Sequence, residues 1–266
     1  MRTIRWGAPK WPPIPPIPPN PPNARSAPAK PWRSSILLGA LIGSTVVLGG
    51  AAAAPPSSPP DDRILPPAMY QTEKARTLAQ RHQHVLRDLN TEIYHCMPWV
   101  DVSKHSIGFF KPKGALQDDR YLSIRLYVDQ QPSPEFARLT TEERASAMFS
   151  RYVGPMLRRM TRHAEIVNDD GIGGFNVIVE WLKQAPTSAR ERPVHETIAA
   201  FIEKVDADEY LAGRATIRDL ASRARVLAWD GEKALGQVRV AGWDDDFVAT
   251  YKVKGYEPDP AITCSR

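Results

Sequence analysis

The spacing of apolar residues changes several times along the chain, and each change predicts an element. From Met69 to Cys96 apolar side chains return at helical intervals, at Ala75, Leu78, Val85, Leu86, Leu89 and Ile93. That spacing predicts one amphipathic helix of roughly 25 residues, ending before Pro98. At 120–130, RYLSIRLYVDQ, the period falls to two: Leu122, Ile124, Leu126 and Val128 share one face, and Ser123, Arg125 and Tyr127 the other. This is the pattern of a half-buried strand.

Helical spacing returns at 140–160, with Ala145, Met148, Phe149, Tyr152, Met156 and Met160 on one stripe. Thr140 stands three residues before Glu143, the arrangement of a capping box, and Gly154-Pro155 should kink or break the helix. A second strand is predicted at 173–183, where Phe175, Val177, Val179 and Trp181 alternate. Residues 184–193 read as a loop, 194–205 (VHETIAAFIEKV) and 216–224 as two short helices, and 225–230, 236–242 and 247–256 as strands. The order predicts an α+β fold: a mostly antiparallel sheet with helices packed on one side. No internal repeat is evident.

The first 68 residues follow neither period. They hold 17 of the 26 prolines, and WPPIPPIPPNPP at 11–22 repeats every three residues, the turn of a polyproline II helix. Residues 1–35 read as a disordered, proline-rich basic tail; the alternatives are a docking peptide for an aromatic groove, or a segment upstream of the true start codon. Residues 36–54, from Ile36 to Ala54, carry no charge and would span about 30 Å as a helix, enough to cross a hydrocarbon core.

That apolar stretch is either a transmembrane anchor or the core of a signal peptide. Ala51-Ala52-Ala53 suits a signal peptidase, but the region before the stretch is longer than the start of an ordinary leader, which favours the anchor. With the basic flank inside, the rest of the chain faces out. Residues 55–68 then form a Pro/Ser linker, 69–258 a soluble α+β domain, and 259–266 a C-terminal tail.

Charge agrees with this division. The formal net charge is +5, but residues 1–35 contribute six basic residues and no acidic one, which leaves the remainder at −1. The folded part therefore lacks the clustered positive charge that nucleic acid requires, and no nucleic-acid partner is expected. Ala, Arg and Pro usage points to a GC-rich bacterial genome. The expected location is the bacterial inner membrane with the C-terminal domain outside the cytoplasm, periplasmic or secreted after cleavage.

The familiar catalytic and metal patterns are not met. NDDGIGGFNV at 168–177 lies between a helix and a following strand, the reverse of a phosphate-binding glycine loop, and reads as a turn. His84 and His95 share a helical face but sit about 16 Å apart along it, too far for one ion. The acidic clusters at Asp118-Asp119, Asp169-Asp170 and Asp244-Asp245-Asp246 fall in turns, and DADEYLAGRATI at 206–217 ends in Ile217 where a calcium loop needs Glu. No catalytic, cofactor-binding or metal-ligating residue is nominated, and no cofactor is expected.

Cys96 and Cys264 are the only cysteines, and in an exported chain such a pair reads as a disulfide. The function class expected is a membrane-tethered, noncatalytic envelope domain that binds a protein or a cell-wall component; a flat face exposing Trp99, Trp243 or Tyr256 would suit it. The alternative is an exported hydrolase whose site residues are dispersed along the chain.

Overall fold

A computed structural model describes residues 59–97, 99–113, 118–128, 134–184, 192–243 and 264, all within one compact unit, 54–266. The tail at 1–35, the apolar stretch at 36–54 and the strand expected at 247–256 lie outside the described residues. Among the described residues no helix is long and apolar enough to cross a membrane.

After two short 3-10 turns at Asp61–Arg63 and Pro67–Met69 come α1 (Glu73–Arg81), α2 (Gln83–Cys96), β1 (Val100–Val102), β2 (Gly108–Phe110) and β3 (Arg120–Val128). Then follow α3 (Pro134–Arg138), α4 (Thr141–Met148), a π-helical turn (Phe149–Val153), α5 (Gly154–Met160), α6 (Ala164–Asn168) and β4 (Ile172–Gln184). The chain continues through β5 (Val194–Glu203), α7 (Lys204–Leu211), α8 (Ile217–Arg223), β6 (Arg225–Asp230) and β7 (Lys233–Val238).

The fold is α+β, as the spacing predicts. One seven-stranded sheet runs β1-β3-β4-β5-β6-β7, with β2 also paired to β3. Every pairing is antiparallel except β3 with β4, which is parallel and therefore needs the helical crossover α3–α6. Leu122, Ile124 and Leu126 of β3, Phe175, Val177 and Val179 of β4, and Ile198, Ala200 and Ile202 of β5 are fully buried against the helices. From the other side the core receives Leu86 and Ile93 of α2 and Phe149, Tyr152, Met156 and Leu157 of the middle helix.

That middle helix starts where its sequence says. The Thr140 hydroxyl accepts from the Glu143 N–H, and the Glu143 carboxylate accepts from the Thr140 N–H at 2.8 Å. At Gly154-Pro155 the backbone stays helical, because the π-helical turn ahead of Pro155 takes up the missing N–H. Ser146 and Ser150, one turn apart on this helix, face the same neighbour: their hydroxyls accept from the Ala241 and Trp243 N–H groups at 3.0 and 2.8 Å.

Residues 194–205 correct the sequence reading. Val194–Glu203 is a central strand, and only from Lys204 does the chain turn helical. Apolar residues at 194, 198, 201, 202 and 205 satisfy a helical period, yet Glu196, Ile198, Ala200 and Ile202 point to the core, and His195, Thr197, Ala199 and Phe201 to the other face. A strand flanked on both sides and half covered on its second face shows no clear alternation, so its period misleads.

The helix expected over 69–96 is likewise two helices, broken at His82. The His82 ring is buried, and its Nε2 lies 2.8 Å from Asp169 Oδ2. Asp169 also accepts from Arg81 at 2.6 Å and from the Gly171 N–H at 2.7 Å. The polar pair fixes the bend by holding the junction of the two helices to the turn before β4. Within 55–68, Leu65 N–H donates to the Ile107 carbonyl, and the Pro60 carbonyl accepts from Asn90.

Burial pushes the Asp169 carboxyl up, but hydrogen bonds from His82, the Gly171 N–H and Arg81 outweigh it and hold it down at about 2, from an ordinary 3.8. A carboxyl held low stabilises the fold fully above its unfolded value near 4, and that contribution is lost as pH falls toward 2. The difference amounts to about 2 kcal/mol. Denaturant unfolding between about pH 5 and 2 should show the native chain losing that much more stability than Asp169→Asn; parallel profiles would contradict the assignment.

Candidate binding face

The side of the sheet away from the helices carries charged side chains among aromatic and aliphatic ones. Register carries Tyr121, Ser123, Arg125 and Tyr127 of β3 across to Gly174, Asn176, Ile178 and Glu180 of β4, then to His195, Thr197, Ala199 and Phe201 of β5 and Arg225, Leu227 and Trp229 of β6. Ser123, Asn176, Thr197 and Ala199 are buried, whereas Tyr127, Ile178, Phe201, Leu227 and Trp229 are half-buried. Small residues form a floor, and aromatic and aliphatic side chains rise around it.

At one end Tyr121 lies flat on the backbone of Gly174. A Cβ at Gly174 would meet two atoms of the Tyr121 ring at 2.8 Å and the Ile202 carbonyl at 2.4 Å, so only glycine fits there. Phe201 packs beside Tyr121 at 6.4 Å between centroids, and the Arg225 guanidinium covers the Phe201 ring at 4.5 Å. Burial, with Glu203 adding to it, pushes the Tyr121 hydroxyl well up, so it stays a neutral donor.

At the other end Arg125 donates to Glu180 Oε2 through Nε at 3.2 Å and through a terminal nitrogen at 2.6 Å. His195 Nδ1 lies 3.7 Å from the second Glu180 oxygen, and the His195 ring stands edge-on to Tyr127 at 5.5 Å. Arg125, Glu180 and His195 therefore answer one another, and the rest of the face is mainly aromatic and aliphatic surface with hydrogen-bonding tips, Arg225 lying over Phe201. That combination suits the centre of a protein interface.

Cys96 and Cys264 form a disulfide with Cα atoms 5.5 Å apart, inside the bridging range. Trp99 and Trp243 are half-buried and pack on the core rather than on this face, while Tyr256 lies outside the described residues. Asp118 pairs with Arg120, Asp169 fixes the helix junction, and residues 244–246 lie outside the described residues. An open groove of about 570 Å³ lies between α5–α6 and α7, but its arginines are engaged: Arg158 over Tyr210, Arg162 with Glu92 and Arg214 with Glu209.

Sequence reasoning weighed the histidines on one helix at a time and so missed a cluster. His84 meets His163 and Glu165, whose connection to His84 is made only by the packing of α2 on the α5–α6 corner. The one local signal was that His84 and Asp88 stand four apart on α2. No protein-family model, curated protein or solved structure matches the chain.

Proposed function

We propose that the chain is an exported, membrane-tethered envelope domain that binds a partner through the face of its sheet that bears no helix among the described residues, and performs no chemistry of its own. The observation that carries the reading is that face: Tyr127, Ile178, Phe201, Leu227 and Trp229 are half-buried around a floor of small residues, with Arg125 and Glu180 neutralising each other. A protein surface of mixed aromatic and aliphatic character matches it better than a wall glycan, which would ask for more unpaired polar groups.

Export is supported by two features. The Cys96–Cys264 disulfide is of a kind found mainly in oxidising compartments. The uncharged stretch at 36–54, behind six basic residues, has the length and flank of a signal anchor, which would leave the domain on the outer side of the bacterial inner membrane.

The test is site-specific photo-cross-linking in cells. A photoreactive residue at Leu227 or Trp229 of the full-length chain should give a discrete adduct, and one at Gln80 on α1 should not. An adduct with a single protein supports the reading, whereas an adduct that sediments with the wall sacculus assigns a wall component. No adduct from 227 or 229, with a released chain beginning near Ala54, would overturn it in favour of a soluble hydrolase.

A further inference from the structure

α2 carries His84, Asp88, Glu92 and Cys96 at successive four-residue steps, so each adjoins the next along one slowly turning row of the helix. Three of them meet the corner between α5 and α6. His84 Nε2 lies 2.6 Å from Glu165 Oε1, His163 Nε2 lies 3.4 Å from Asp88 Oδ2, and Glu92 takes Arg162 at 3.3 Å and Arg159 at 3.5 Å. His163 is the residue that opens α6, and Glu165 stands in its first turn.

The last of these contacts is an ordinary ion-pair seam. The first two are of another kind. One donor atom each from His84, His163 and Glu165 lie within 4.8 Å of one another, and the two imidazoles stand perpendicular with centroids 6.0 Å apart. Two imidazole nitrogens and a carboxylate oxygen, with a second carboxylate, Asp88, 3.4 Å from His163 Nε2, make a donor set of the zinc type rather than the all-oxygen set of calcium or magnesium.

We propose that His84, His163 and Glu165 bind a divalent transition-metal ion of the zinc class, with Asp88 as a fourth ligand or as the group that orients His163. A tetrahedral ion with ligands at about 2.0–2.1 Å needs donors about 3.3 Å apart. The present spacing is reached from there by small rotations of four surface side chains, the most covered of which, His163, is 31% exposed. The ligands come in two pairs from two elements, so the ion ties α2 to the α5–α6 corner. Its effect is to staple the helix layer from outside, on the side of the sheet opposite the binding face. The proposal does not depend on that face having a partner.

The experiment uses the full-length chain in detergent, stripped with chelator, and titrates Zn²⁺ against a chromophoric competitor. Saturable binding of one ion is expected, weakened about tenfold or more in His84→Ala and in His163→Ala and unchanged in His105→Ala. Zn²⁺ should raise the unfolding temperature of the native chain and not that of the doubly substituted one. Co²⁺ added to the native chain should give the intense visible bands of tetrahedral N/O coordination, a readout that needs no variant. Absence of saturable Zn²⁺ binding to the folded native chain, weak octahedral Co²⁺ bands, or binding that survives both substitutions would overturn the assignment.

Discussion

Glu196→Ala will cost the domain about 3–5 kcal/mol, a large share of the stability of an ordinary domain. Glu196 is 1% exposed and sits on the core face of β5, the only acid among Ile198, Ala200 and Ile202. It accepts two hydrogen bonds from Arg144 of α4, at 2.6 and 2.5 Å, in the fork geometry that guanidinium and carboxylate share. Arg144 is itself buried, and its remaining terminal nitrogen donates to the Leu139 carbonyl.

Alanine at 196 leaves that guanidinium in the interior with no counter-charge, and an uncompensated buried ion is costly. Lys183 also lies near Glu196, at 3.5 Å, but keeps Asp230 at 2.8 Å and so is not orphaned. Denaturant midpoints should therefore show Arg144→Met with Glu196→Leu far less destabilised than Glu196→Ala alone. A loss below about 1 kcal/mol for the single change would mean that the pair is not buried in solution.

Breaking the Cys96–Cys264 bond ranks second. The bond closes a loop with a sequence separation of 168, and the chain-entropy account assigns such a closure about 4–5 kcal/mol. Its loss acts on the unfolded chain, so the signature differs from that of Glu196. Cys96→Ala, Cys264→Ala and the double variant should be destabilised equally, and reductant should destabilise the native chain to the same level while leaving the variants unmoved. Thiols in the native chain should resist alkylation until it is reduced. Unequal single variants would show that one cysteine contributes packing instead of a bond.

How much of this could be read from the sequence depended on whether a signal was local. The alternation from Leu122 to Val128 and the Thr140–Glu143 capping box each complete themselves within a few residues, and both stand in the structure as read. Val194–Glu203 failed because its identity as a strand comes from β4 and β6 on either side; alone, TIAAFI satisfies either period. The break at His82 was hidden for the same reason: Asp169, which causes it, lies 87 residues away. The disulfide was legible by arithmetic, since two cysteines leave one pairing. The meeting of His84 with His163 and Glu165 was not, because nothing in either segment names the other.

The parallel pairing of β3 with β4 also sets a timetable. β4, β5, β6 and β7 pair with their neighbours in the order in which they are made, but β3 must wait for a partner that begins at Ile172, behind the whole α3–α6 crossover. A chain that emerges N-terminus first, from a ribosome or through a membrane pore, presents Leu122, Ile124, Leu126 and Val128 long before anything can cover them on the β4 side. Short β1 and β2 flank only the opposite edge. The late, non-local closure onto β4 is the slow event in such a topology, and the interval before it is when this strand is most open to aggregation or to capture by a holding chaperone.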